Sequence, residues 1–154
     1  MFTDYAHHPD ELKATLAAAK AAAGGRLVTL FQPHTFSRLH DLFDDFAASF
    51  GDSSLPLFTD VFSAREVNTS GVHAGLLADA AGGVYLLTLR NRALSGSERP
   101  PGDTVLLIGA GNVNTVWDII KTTETQNVGL FRRVHSVKSA QGTQENYRNV
   151  CVER

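Results

Sequence analysis

The chain has 154 residues, 43% of them hydrophobic and 19% charged, with a formal net charge of -2. That length suits one domain with a proper core, and the near-neutral charge, with basic residues scattered rather than massed, argues against nucleic acid or an anionic membrane as partner. The single cysteine, Cys151, excludes an internal disulfide, no apolar run approaches the roughly 18 residues of a membrane span, and the N-terminus lacks a signal-peptide pattern; the expectation is a soluble cytoplasmic protein.

The chain opens with a short strand running into the polar cluster DYAHHP. Residues 9–23 (PDELKATLAAAKAAA) combine a proline suited to a first helical turn, acids behind it, strong helix formers and a Gly24-Gly25 stop, which predicts a helix. RLVTLF (26–31) is a short apolar run ending at QPH, and reads as a buried strand. Over 37–50 the residues Leu39, Leu42, Phe43, Phe46 and Phe50 recur at spacings of three and four, the signature of an amphipathic helix.

The alternation repeats with PLFTDVF (56–62) as strand, SGVHAGLLADAA (70–81) as helix, VYLLTL (84–89) as strand, DTVLLIGAG (103–111) as a strand running into glycines, and NTVWDIIK (114–121) as a short helix. Near-continuous apolar strands alternating with helices predict an α/β fold: a Rossmann-like, mostly parallel sheet with helices on both faces. Beyond Thr122 the chain is polar and without sustained period, so residues 1–121 are read as the domain and 122–154 as a loosely ordered tail.

Ligands of open parallel sheets gather outside the carboxyl ends of the strands. The residues placed there are Asp4, Tyr5, His7 and His8 after the first strand, Gln32, His34, Thr35, Ser37 and Arg38 after the second, Asp60, Ser63, Arg65 and Glu66 after the third, and GAGN (109–112) after the last. His8 before Pro9 reads chiefly as a helix-start residue. Adjacent histidines splay apart and no further ligand follows at recognisable spacing, so Asp4, His7 and His8 are not read as a metal site, and none is assigned. Arg38 in a first helical turn faces the positive end of the helix dipole, a cost that a bound anion would remove. His34 reads equally as ligand-facing or as a backbone-satisfied loop residue, and Arg65-Glu66 as a surface pair or loop cap. The glycines at 109–111 lack the full dinucleotide-binding spacing. No G-x-x-x-x-G-K-[ST] loop occurs, so the chain carries no phosphate cradle of that type.

DYAHHPDELKATL, LFQPHTFSRLHDLFDDF, TDVFSAREV and GDTVLLIGAGNVNTV, in this order, resemble the C-terminal domain of the Mur amino-acid ligases of peptidoglycan synthesis, over about residues 3–121. FQPHTFSR is the most specific string, and it favours the branch that joins L-alanine to UDP-N-acetylmuramate over the murein tripeptide recycling relative. The resemblance implies a three-domain, ATP-dependent ligase working through an acyl phosphate. Its N-terminal UDP-sugar domain and central ATPase domain lie outside this sequence, and ATP and Mg2+ are held mainly by the latter. It also implies roles for residues: Arg38 for the carboxylate of L-alanine, with Thr35 where many relatives carry a second arginine; His7 near the alanine ammonium, to orient or deprotonate it; Asp4 and Tyr5 toward the nucleotide; and His8, His34 and Arg65 as secondary candidates. A non-catalytic α/β binding module is the competing reading from another class.

Overall fold

Local chemistry sets most of the elements. In the computed structural model, which describes residues 2–86, 102–113 and 115, the chain runs β1 (Phe2–Asp4), α1 (Pro9–Ala22), β2 (Leu27–Phe31), α2 (Phe36–Asp41), α3 (Phe43–Ala47), β3 (Leu55–Phe58), α4 (Ala74–Ala80), β4 (Val84–Tyr85) and β5 (Thr104–Ile108). Pro9 and the acids Asp10 and Glu11 occupy the first turn of α1, where a missing N–H costs nothing and negative charge meets the positive end of the helix dipole.

The strands form one sheet of order β1-β5-β2-β3-β4 in which every pair is parallel. β5 lies between β1 and β2, with Phe2 opposite Leu106 and Phe31 opposite Ile108. The steps from β1 to β2, β2 to β3 and β3 to β4 all run the same way across the sheet. Right-handed crossovers therefore deliver their helices to one face. Leu12, Leu16, Leu39, Phe46 and Leu77 from α1 to α4 accordingly share one core cluster with Leu27, Phe31, Phe58, Leu106 and Ile108 of the strands. Phe31 sits at its centre, with ring centroids 5.7 Å from Phe46, 5.5 Å from Phe50 and 6.4 Å from Phe58.

The alternate residues Val28, Leu30, Leu57, Val105 and Leu107 form a second buried cluster on the opposite face, with Leu86 and Val113. Burial on both faces explains why β2 reads as a near-continuous apolar run, interrupted only by the buried Thr29. The described helices all lie on the first face. The helix expected over 114–121 and the tail at 122–154 fall, Thr115 excepted, outside the described residues, as does the strand expected over 84–89 beyond Leu86. No described helix is long and apolar enough to cross a membrane.

Two expected helices differ in extent. The one expected over 37–50 divides at Leu42 (φ -119°, ψ 26°) into α2 and α3. The three-and-four spacing marks which side chains face the sheet, and Leu39, Phe46 and Phe50 are all buried. It does not require a straight axis. The helix expected over 70–81 starts at Ala74, because Asn68 Oδ1 accepts from Gly71 N (3.0 Å) and holds 68–71 in a side-chain-capped loop. His73 Nδ1 then accepts from Leu76 N at 3.4 Å and caps the helix.

Candidate functional site

Because all five strands are parallel, their carboxyl ends share one rim, and the polar segments that follow β1, β2, β3 and β5 meet above it. The pairing of β2 with β3 is extended past the rim by a single bridge between His34 and Phe62, with Thr35 N donating to Phe62 O (2.9 Å) and Phe62 N to Pro33 O (2.8 Å). His34 stacks on Phe62 with ring centroids 5.6 Å apart and planes 19° from parallel. His7 meets His34 edge-on at 6.1 Å, and Tyr5 meets His7 edge-on at 5.6 Å. A continuous aromatic row thus runs from β1 to β3 across the rim.

His7 is held by its own segment. Its Nδ1 lies 3.1 Å from Tyr5 O and 3.5 Å from Glu11 Oε2, both acceptors, so Nδ1 carries the proton and neutral His7 keeps its lone pair on Nε2. Its backbone N–H donates to Glu11 Oε2 at 3.0 Å, which fixes the turn into α1. His8 stands at the N-cap of α1, its Nδ1 accepting from Asp10 N at 3.4 Å, and so lies in a helix-starting role. Asp4 is buried, and its Oδ1 accepts from Ala6 N at 2.7 Å. That bond braces the turn between β1 and the histidines, while Tyr5 is 59% exposed.

Thr35 caps α2. Its Oγ1 accepts from Arg38 N at 3.4 Å, and its backbone takes φ 69°, a left-handed conformation that costs a β-branched residue energy. Arg38, in the first turn of α2, makes no ion pair, and its buried Nη1 has no hydrogen-bond partner, among the described residues. Nδ1 of His34 is likewise buried and unpartnered. Burial, then the positive charge of Arg38, then His7 push the His34 imidazole below its ordinary range, with Glu66 opposing. With Gln32 Oε1, three buried polar atoms a few residues apart, one of them a cation's donor, thus have no partner among the described residues.

The start of α2 also meets a carboxylate of the chain itself, which does not pair with Arg38. Glu66 accepts from Ser37 N at 3.0 Å and from Ser37 Oγ at 2.6 Å, and these donors hold its carboxyl below the usual range. Of the two readings of Arg65-Glu66, the surface pair does not form: the turn at 64–65 sends Glu66 toward α2, where it accepts a backbone N–H as a cap does, while Arg65 is exposed at φ 82° and makes no ion pair among the described residues. Glu66 was placed on the rim by its sequence position, but its bond to a residue 29 positions away carries no local signal. Asp60, also on the rim, accepts from the Tyr85 hydroxyl, which raises the phenol above its usual range.

The glycines after β5 serve packing. A Cβ on Gly109 (φ 148°) would lie 2.7 Å from Gln32 O, and one on Gly111 would lie 2.6 Å from Phe62 Cγ and press on the Gln32 side chain. They let β5 pass close beneath the rim, where Gln32 Nε2 donates to Asn112 Oδ1 at 2.8 Å.

A parallel sheet with its polar groups gathered over the strand ends is the arrangement in which open α/β domains bind ligands. The family model of the Mur ligase, glutamate ligase domain, matches residues 1–111. The chain is 44% identical over 129 residues, 79% of its length and 28% of the relative's, to the UDP-N-acetylmuramate–L-alanine ligase of Desulforamulus reducens. It is 47% identical over 116 residues, 71% of its length and 25% of the relative's, to the enzyme of that name from Anaeromyxobacter dehalogenans. Among solved structures, the UDP-N-acetylmuramate-alanine ligase of Thermotoga maritima shares the fold with a TM-score of 0.61 at 19% identity, covering 81% of this chain and 26% of that one. A murein peptide ligase from Psychrobacter arcticus does so with a TM-score of 0.61 at 20% identity, over 82% of this chain and 28% of that one. The chain belongs to the Mur ligase family. It spans 28% and 25% of the length of the two curated relatives above.

Proposed function

We propose that the chain is the amino-acid-receiving domain of a cytoplasmic ATP-dependent ligase that joins L-alanine to UDP-N-acetylmuramate in peptidoglycan synthesis. The observation that carries this reading is Arg38, whose buried Nη1 has no partner among the described residues, while Asp4 and Glu66 on the same rim are engaged by other groups. A guanidinium so placed suits the carboxylate of a free amino acid, which it binds through two parallel N–H donors. His7, with its lone pair on Nε2, stands across the rim as acceptor for the amino acid's ammonium. It orients the amine, and by taking a proton it leaves the nitrogen able to attack an activated carboxyl. Thr35, where many relatives carry arginine, contributes the cap that seats Arg38 rather than a second cation.

In this reading ATP supplies the activation of the sugar's carboxyl. The exposed Tyr5 ring fits a stacking wall for the nucleotide. Asp4 fits a ribose contact less well, since it is buried and bonded to Ala6 N. The rim does not suit Mg2+: among the described residues no three histidine, cysteine or carboxylate side chains converge, and Arg38 would repel a cation. The domains that precede this one in the relatives would hold the nucleotide and metal. Relatives at 44% and 47% identity bear the alanine ligase name, which favours it over the murein peptide relative.

The test mixes this chain with a protein carrying the sugar-binding and ATPase domains and follows phosphate release that requires both UDP-N-acetylmuramate and L-alanine. Wild type should restore release. Arg38→Ala, losing a charge-assisted interaction of about 1.5–3 kcal/mol, should raise the alanine KM by roughly 10- to 100-fold with the ATP KM unchanged. Equal effects on both substrates would count against the assignment, and no release from two folded pieces would favour a binding module without catalysis.

A further inference from the structure

We propose that Glu66 is a positioning residue for the ligase reaction, clamping the start of α2 so that Arg38 presents its guanidinium to the carboxylate of the incoming amino acid. The inference rests on the ligase reading above.

Its first support is the density of donors. Both oxygens of Glu66 are used by one residue of α2, Oε2 by Ser37 N (3.0 Å) and Oε1 by Ser37 Oγ (2.6 Å). Phe36 N–H and the Thr35 hydroxyl add weaker attraction to the same carboxylate. Ser37, the residue directly before Arg38, is thus tied through both its backbone and its side chain to a loop 29 positions along the chain.

The second support is strain. Among the described residues, three non-glycine positions adopt positive φ: Thr35 (69°), Ala64 (47°) and Arg65 (82°). All three flank this one carboxylate, Thr35 on the helix side and Ala64-Arg65 in the turn that delivers Glu66, which is closed by Glu66 N donating to Ser63 O at 2.8 Å. A left-handed residue costs about 1–3 kcal/mol and persists only where its surroundings hold it. Capping a six-residue helix does not need three of them, since Thr35 Oγ1 already accepts from Arg38 N. What they secure together is the angle at which α2 leaves the rim, and with it the place of Arg38, whose Nη1 is buried and unpartnered among the described residues.

The experiment uses the reconstituted mixture and the 154-residue chain alone. Glu66→Ala should raise the alanine KM about tenfold or more, since a displacement near 1 Å of a substrate clamp costs up to about a hundredfold, while the ATP KM stays at its wild-type value. Glu66→Gln keeps one acceptor for Ser37 and should fall between the two. Adding Glu66→Ala to Arg38→Ala should cost nothing further, as expected when one residue acts through the other. In the chain alone, Glu66→Gln should shift the NMR signal of the Arg38 Nε–H group with circular dichroism unchanged. A wild-type alanine KM in a folded Glu66→Ala chain, fully additive losses in the double variant, or an unmoved Arg38 signal would each overturn the inference. A wild-type chain that restores no phosphate release would instead remove the ligase reading.

Discussion

Adding one methyl group at Gly111 probes how the packing beneath the rim controls the chemistry above it. The Cβ of Gly111→Ala would stand 2.6 Å from Phe62 Cγ and 2.7 Å from Phe62 Cβ, and against the Gln32 amide. Carbon atoms settle at about 3.5–4.0 Å, so Phe62 or the turn after β5 must retreat by roughly 1 Å. Over-packing of that size costs about 1–3 kcal/mol, and at about 2–4 °C per kcal/mol for a chain of this length the melting temperature should fall by about 2–12 °C. Phe62 is also the platform on which His34 stacks at 5.6 Å. As it moves, His34 gains water, and its titration midpoint, held down chiefly by burial, should rise toward the ordinary value of about 6.5. Thermal unfolding followed by circular dichroism reads the first effect and an NMR pH titration the second. An unchanged melting temperature would refute the packing argument. A lowered one with an unmoved His34 midpoint would show that Phe62 does not transmit the strain.

Other consequences follow from the same geometry. Arg65→Gly should be neutral to about 1 kcal/mol stabilising, because relief of the left-handed backbone, about 1–2 kcal/mol, exceeds the added chain entropy of glycine, about 0.5–1 kcal/mol; Arg65→Ala keeps the strain and should show no such gain in urea denaturation. Because His34 titrates lower in the fold than in the unfolded chain, its contribution to stability is complete above pH about 6.5 and is lost as pH falls through the folded midpoint. A urea midpoint measured from pH 7 to 5 should drop, and His34→Asn should flatten that slope. Phe31→Ala, which empties the contact point of Phe46, Phe50 and Phe58, should cost about 3–5 kcal/mol by equilibrium denaturation, and a loss near 1 kcal/mol would contradict its central place.

The sequence by itself determined whatever depends on neighbours a few positions apart. Pro9, the acids behind it and the alanine-rich run make α1 wherever it lies, and short apolar runs separated by helices dictate a parallel sheet whose strand ends collect Tyr5, His7, His34 and Arg38 on one rim. Resemblance to a known family then identified the domain. The tertiary structure alone decided what depends on distant partners. Periodicity marks buried positions but not axis direction, so the division of the helix at Leu42 was invisible in the sequence. Sequence left Arg65-Glu66 open between a surface pair and a loop cap, and the backbone angles of the turn decide it by carrying Glu66 to Ser37. The glycines at 109 and 111 lack the spacing of a dinucleotide-binding turn, but only the structure shows that the space they leave is taken by Gln32 and Phe62. Steric fit and hydrogen bonds between segments 29 to 80 residues apart exist only once the sheet has brought those segments together, and that is where the site acquires its geometry.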